Sequence, residues 1–117
     1  MSERNDCYRL IQMIAIRQDP FCIVCGAPSE VGHHLWRRNN LSTAFHPEAV
    51  RGLCNPHHGF AHAKPTAFKA HMQRLMGPRY HELQKLSKTV VKGMDYVAKR
   101  SELRGILEDF EQKAVNF

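Results

Sequence analysis

The feature that most constrains this chain is a nine-residue stretch, from Cys54 to His62, that contains four potential metal ligands. If the stretch is helical from about Pro56, His58 and His62 lie on one face, where two imidazoles can bind the same cation. His57 lies about 100° further round the helix and is better placed to join Cys54, three residues earlier. The stretch therefore predicts one wall shared by two metal sites.

A second pair of ligands, Cys22 and Cys25, is separated by two residues and followed by glycine, as in a zinc-knuckle turn. The same spacing occurs in redox pairs, but no βαβ pattern surrounds it here. Together with Cys54 and His57, these cysteines form a set of three thiolates and one imidazole, which is typical of a structural zinc site. The remaining cysteine, Cys7, is expected to be a small buried apolar side chain.

Two adjacent histidines lie between the cysteine pairs, in a segment that alternates as a short strand does. This strand is predicted at 31–36, and a second is predicted at 47–53. Neighbouring residues on a strand face opposite sides, so His33 and His34 do not suit the same ion. One of them should bind metal while the other acts on something beside it.

The rest of the chain is predicted to be helical. A first helix is expected to begin at Asn5 or Asp6 and to stop at Asp19-Pro20, and helices follow His62 to the C-terminus. The 117 residues therefore predict one domain of the α+β class, mostly α. It has an N-terminal helix at 1–20, a metal-binding core at 21–64 and a helical basic extension at 65–117. The last helix carries an apolar stripe: Val97, Leu103, Ile106, Leu107 and Phe110.

The chain is basic, with 17 Lys and Arg residues against 11 acidic ones and a formal charge of +6. This balance favours a polyanionic partner, nucleic acid first, although a solvated basic surface would have the same composition. No secretory signal or membrane-spanning run is recognisable, so we expect a cytoplasmic protein with reduced thiols and no membrane partner. The candidate nucleic-acid contacts are Arg37, Arg38, Lys64, Lys69, Arg74, Lys85 and Lys88.

The order Cys-x-x-Cys, His-His, Cys-x-x-His-His-x-x-x-His resembles the HNH endonucleases, and the resemblance covers Cys22 to His62. It implies a ββα-metal core, in which two strands and a helix surround one catalytic cation, with a zinc knuckle on the Cys₃His set. In that family the first histidine of the pair is a metal ligand and the second is the general base. The resemblance therefore implies His33, His58 and His62 as ligands, and His34 as the base.

The chain departs from the family at one position. The family has an asparagine near position 49 that tethers the loop between the strands, and this chain has Ala49. His46 is the first candidate to replace it, with Asn39, Asn40 and Glu48 as alternatives. The segment His46-Pro47-Glu48 before the second knuckle, the helix with histidines and the basic tail more loosely resemble phage recombination nucleases of the NinG/Rap type, with the Ref nuclease as a second relative. This resemblance implies branched or recombination-intermediate DNA as substrate and, for a phage protein, the host cytoplasm as location.

The implied function is metal-dependent hydrolysis of phosphodiester bonds in double-stranded DNA. Three imidazoles favour Zn²⁺, Ni²⁺, Co²⁺ or Mn²⁺ over Mg²⁺, although availability makes Mg²⁺ or Mn²⁺ the expected cation in the cell. Two alternatives remain open. The first is a non-catalytic, zinc-stabilised nucleic-acid-binding module, and the second is a zinc-dependent interaction protein whose C-terminal helices pair with a partner.

Overall fold

The computed structural model describes residues 2–115 of the chain. Within this range, five α-helices surround a two-stranded antiparallel sheet, which confirms the mostly helical α+β class. None of the described helices is long and apolar enough to cross a membrane. The elements in chain order are α1 (Glu3–Gln18), β1 (Val31–His34), a 3₁₀ turn (Pro47–Ala49), β2 (Val50–Leu53), α2 (Asn55–Ala63), α3 (Pro65–Met76), α4 (Pro78–Ser87) and α5 (Tyr96–Val115).

Helix α1 begins earlier than its sequence predicts. The hydroxyl of Ser2 accepts a hydrogen bond from the backbone N–H of Asn5 at 3.1 Å, so Ser2 is the N-cap. The predicted start at Asn5 or Asp6 is therefore wrong, because both residues lie inside the first turn. The end of the helix at Asp19, before proline, is as predicted.

Helices α1 and α5 enclose the first of two apolar clusters. Cys7 is fully buried in this cluster, as expected. Leu103 and Leu107 of the α5 stripe are buried there too, whereas Val97 is 57% exposed. Leu103 and Leu107 therefore serve as core packing, and Ile106 and Phe110 are partly buried against the same cluster. The buried members are Cys7, Tyr8, Ile11, Ile14, Ala15, Ala44, Phe45, Val50, Leu103 and Leu107.

The second cluster joins the zinc-knuckle segment to helices α2, α3 and α4. Its buried members are Cys22, Leu53, Cys54, Ala61, Phe68, Met72 and Tyr80. Helix α2 thus packs on the sheet at one side and on α3 at the other. This packing fixes the helix that carries three of the histidines predicted as metal ligands.

The two strands are shorter than predicted and pair in a single register. His33 lies opposite Arg51 and His34 lies opposite Val50. The strand predicted at 47–53 begins only at Val50, because its first three residues form the 3₁₀ turn. Proline at the start of that turn has no N–H to donate to a strand ladder.

The end of α1 is fastened to β2 by one carboxylate. Asp19 accepts two hydrogen bonds from the Arg51 guanidinium, at 2.8 and 3.1 Å, and a third from the backbone N–H of Gly52 at 3.0 Å. The backbone of Gly52 lies so close that a Cβ atom there would meet the carbonyl oxygen of Asp19 at 2.5 Å. A side chain at position 52 would therefore push α1 away from the sheet.

Two glycine substitutions are expected to change stability in opposite directions. Gly52→Ala should lower the free energy of unfolding by about 1–3 kcal/mol, because the added methyl group meets backbone that cannot give way. Gly59→Ala should raise it by about 0.5–1 kcal/mol, because Gly59 is in the middle of α2 with open space around it. Denaturant unfolding of the zinc-loaded variants measures both, and equal destabilisation would contradict the close packing of α1 on β2.

Candidate metal centres

Three thiols and one imidazole converge where the knuckle turn meets the start of α2. Cys22 and Cys25 come from the turn, and Cys54 is the residue before the helix. His57, in the first turn of α2, places its Nδ1 atom 3.3 Å from the Sγ atom of Cys54 and 3.9 Å from that of Cys22. All four ligand atoms lie within 4.8 Å of one another, so this Cys₃His cluster can hold a metal ion as the sequence predicts.

The spacing of these atoms fits zinc and excludes a disulfide. The Sγ atoms of Cys25 and Cys54 are 3.7 Å apart, far beyond the roughly 2.05 Å of an S–S bond. Two thiolates bound to a tetrahedral zinc at about 2.3 Å lie about 3.8 Å apart. The donor set of three sulfurs and one nitrogen is also one that zinc prefers, which supports a structural role for the metal.

A second cluster is formed by three histidines from β1 and α2. His58 and His62 are four residues apart on α2, and their Nε2 atoms are 3.1 Å apart. The ring of His33, on β1, lies 5.3 Å from the ring of His58 and 5.1 Å from that of His62, measured between centroids. One ligand nitrogen from each residue falls within 4.8 Å of the others. The structure therefore brings together the three residues that the sequence analysis grouped.

The surroundings of His33 and His58 favour the neutral form of the imidazole, which is the form that binds metal. Burial, reinforced by His58 and His62, lowers the pKa of His33 to about 4. Burial and the neighbouring His62 also lower the pKa of His58 below its ordinary value. His33 is therefore neutral at pH 7, with a nitrogen lone pair free for a cation. Nitrogens 3.1 Å apart suit two ligands at about 2.0–2.1 Å from one ion.

His34 has different neighbours from His33. Its Nε2 atom is 3.0 Å from the carbonyl oxygen of Ala44, in the loop between the strands. A carbonyl can only accept, so Nε2 carries the proton and Nδ1 of the neutral ring has the free lone pair. Burial lowers the pKa of His34, Arg38 acts in the same direction, and the bond to Ala44 opposes them. The ring is thus held as one tautomer with a proton-accepting nitrogen.

The loop that carries Ala44 is organised by Asn40. The side-chain oxygen of Asn40 accepts hydrogen bonds from the N–H and hydroxyl of Ser42, and its amide nitrogen donates to the carbonyl of Ser87 at 2.7 Å. The backbone carbonyl of Asn40 accepts the N–H of Ala44 at 2.9 Å. His46 is the first candidate to tether the loop between the strands. Its side chain instead accepts a hydrogen bond from the backbone N–H of Glu48 and caps the 3₁₀ turn. The hydrogen bonds of this loop therefore favour Asn40 over His46 as the residue that tethers it.

Both histidine environments open into one cavity of about 1000 Å³. His33, His34, His58 and His62 line it on one side, and side chains of α1 line it on another. Gln12 fastens α1 to β1 through two hydrogen bonds of 2.8 Å. Its side-chain nitrogen donates one to the backbone carbonyl of Gly32, and its side-chain oxygen accepts the other from the Gly32 N–H. Sequence reasoning missed this contact, although a glutamine that interrupts the apolar face of α1 was a usable signal.

The predicted nucleic-acid contacts are divided between two regions. Arg37 and Arg38 line the cavity beside the histidines. Lys64 lies between α2 and α3, and the others are exposed on α3 or near the end of α4: Lys69, Arg74, Lys85 and Lys88. Arg79, a further basic residue of that region, is paired with Glu48 and Glu82 and so contributes less free charge.

No family model matches this chain, and no curated protein or solved structure is similar enough to count as a match. The resemblance to the HNH endonucleases therefore stays a prediction that rests on the residues themselves.

Proposed function

We propose that this protein is a metal-dependent endonuclease of the HNH type, in which β1, β2 and α2 form the ββα-metal core. The observation that carries the proposal is the convergence of His33, His58 and His62 next to a fourth histidine, His34, whose ring is held by a backbone carbonyl. A packing or phosphate-binding role would require neither three nitrogens within ligand distance of one another nor a fixed tautomer beside them.

The four histidines have two roles in the proposed hydrolysis: three are metal ligands and one is the general base. His33, His58 and His62 would hold a divalent cation, which would supply positive charge to offset the negative charge of the phosphodiester as the bond breaks. Nδ1 of His34 accepts a proton from the attacking water, while its Nε2–H remains bonded to Ala44. The water oxygen bonds to phosphorus, the P–O3′ bond breaks, and the leaving oxygen takes up a proton.

Two features support nucleic acid as the substrate. The cavity beside the histidines is lined by arginines, Arg37 and Arg38 among them, which suits a phosphodiester backbone. The chain as a whole carries a formal charge of +6, which attracts a polyanion. We propose double-stranded DNA in the cytoplasm, with Mg²⁺ or Mn²⁺ as the working cation. Action on branched DNA is a further part of the proposal that rests on the looser phage resemblance.

The rival function is a zinc-stabilised module that binds nucleic acid without cutting it. It accounts for the Cys₃His cluster and the basic charge. It leaves the second cluster without a purpose, since burial lowers the pKa of His33 and His58 and so weakens any attraction of these two rings for phosphate. The two functions differ in whether bound DNA is cleaved.

Cleavage of labelled oligonucleotides tests the proposal and its branch preference together. A linear duplex and a four-way junction are incubated with zinc-loaded protein and added Mn²⁺ or Mg²⁺, and the product ends are analysed. We expect cut strands with 3′-hydroxyl ends, formed faster from the junction. DNA that is bound but left intact with every metal would support the binding module instead of a nuclease. Equal cleavage rates on both substrates would contradict the preference for branched DNA but not the nuclease function.

A further inference from the structure

A buried tyrosine of α1 positions two arginines beside the candidate active site. The Cζ atom of Arg38 is 4.1 Å from the centre of the Tyr8 ring, and that of Arg4 is 5.9 Å from it. The Tyr8 hydroxyl donates to the backbone carbonyl of Arg38 at 2.9 Å, and only 6% of Tyr8 is exposed. Arg38 is therefore held on a rigid support while its guanidinium faces solvent.

These two arginines carry unbalanced charge. Within residues 2–115, no carboxylate lies within salt-bridge distance of Arg4 or Arg38, whereas Asp6 pairs with both Arg9 and Arg100. Both arginines line the same cleft beside the Tyr8 ring, and an anion bound there would be attracted by both charges. The arrangement therefore suits a bound phosphate better than it suits an empty surface.

The arginines lie on a continuous path from the histidines. Tyr8 and Asn5 line the large cavity together with His33, His34 and Arg38. The same tyrosine, asparagine and arginine also line an adjoining cleft of about 370 Å³, which adds Arg4 and Asn39. Asn5, Tyr8, Arg9 and Gln12 follow helical spacing, so one face of α1 forms the wall of this path.

We propose that Arg38 and Arg4 form a binding site for a backbone phosphate next to the phosphodiester that is cleaved, so that the nucleic-acid strand runs along α1. This inference rests on the proposed nuclease function for the position of the cleaved bond. Contacts of this kind fix the register and direction of a strand without reading its sequence. The site would therefore position the scissile bond over the histidines whatever the bases are.

A pair of variants, one in the segment after β1 and one in α1, tests the site by binding alone. Arg38→Ala and Arg17→Ala each remove one positive charge, but Arg17 is exposed in the last turn of α1 and lines neither cavity. Affinity for a labelled duplex is measured by fluorescence anisotropy over a range of salt concentrations, without added divalent metal. We expect Arg38→Ala to weaken binding about tenfold and to reduce the salt-dependence slope by about 0.9, with Arg17→Ala close to wild type.

A conservative variant and a modified substrate complete the test. Arg38→Lys should keep most of the slope, which separates lost charge from misfolding. Replacing phosphates of the duplex by neutral methylphosphonate groups should reduce the difference in affinity between the wild type and Arg38→Ala, because the partner of Arg38 is then lost from both complexes. Equal losses for Arg38→Ala and Arg17→Ala would overturn this site even if the protein cleaves DNA. An Arg38-dependent slope without any cleavage would retain the phosphate site and overturn the nuclease proposal instead.

Discussion

Replacing Cys54 by serine is expected to release one zinc ion per chain and to unfold the region from the knuckle turn to α3. Cys54 contributes a ligand, precedes the first residue of α2 and is itself buried in the second apolar cluster. Apparent binding energies of structural zinc are about 10–16 kcal/mol, which equals or exceeds the whole stability of a domain of this size. The loss should appear as a missing zinc equivalent in metal analysis and as reduced helical circular dichroism.

Cys7→Ala is the matched control for this experiment. Cys7 is as buried as Cys54 but lies in the other apolar cluster, where its thiol is 3.5 Å from the carbonyl oxygen of Tyr96. The control should keep its zinc and its helical signal, with only a modest loss of stability. If Cys54→Ser kept a full equivalent of zinc and a native spectrum, the Cys₃His cluster would not be a structural metal site.

The second large effect is expected for His34→Ala, which should reduce DNA cleavage by about 10²–10⁴-fold while leaving the binding of the second metal nearly intact. The reason is positional: His34 bonds to Ala44 through one ring nitrogen and is not one of the three clustered ligands. His58→Ala should behave differently, because it removes a ligand. Metal affinity and cleavage should then fall together.

Calorimetric metal titration and cleavage rates on the two variants separate these roles. Zinc content should remain at one equivalent in both, since neither residue belongs to the Cys₃His cluster. Loss of metal binding in His34→Ala, with retention in a His33→Ala variant, would mean that the two neighbouring histidines have exchanged roles. Normal cleavage by both variants would show that neither His34 nor His58 is needed for cleavage.

The sequence predicts two pairs within the candidate metal clusters because these pairs are specified by local spacing, whereas the choice of His33 over His34 as a ligand comes from the family resemblance. A four-residue interval on a helix and a two-residue interval in a turn each fix which side chains converge. His58 and His62 meet for the first reason, and Cys22 and Cys25 for the second. The helices after His62 follow in the same way from apolar periodicity and from glycine-proline stops.

The parts that the sequence does not predict are contacts between side chains and distant backbone. The carbonyl of Ala44 orients His34, and Asn40 reaches Ser87, which is 47 residues away. A backbone carbonyl belongs to every residue, so no residue type marks it in a sequence. His46, the first candidate for the loop tether, instead caps the 3₁₀ turn, and a choice among His46, Asn39, Asn40 and Glu48 depends on the path of the chain.

Helix α5 illustrates the same limit. The apolar pattern of its stripe suits a core and a partner surface equally well, and only the structure shows that Leu103 and Leu107 pack in the core beside α1. Likewise, the sequence gives the number of basic residues, but it does not show which of them form ion pairs with carboxylates. Arg79 pairs with Glu48 of the 3₁₀ turn, whereas Arg38 lies over the Tyr8 ring without an acidic partner among the described residues.

The central claim is that the histidine cluster makes this chain a metal-dependent nuclease, and nicking of supercoiled plasmid tests it most directly. The assay compares zinc-loaded wild type, His58→Ala and His81→Ala, the last an exposed histidine on α4 that belongs to neither cluster. Each is tested with Mn²⁺, Mg²⁺, Co²⁺ or Ni²⁺ and without an added divalent ion. The account predicts nicking by wild type and His81→Ala only when a second divalent ion is present, and none by His58→Ala. Intact plasmid with wild type under every condition, or equal nicking by His58→Ala, would contradict it.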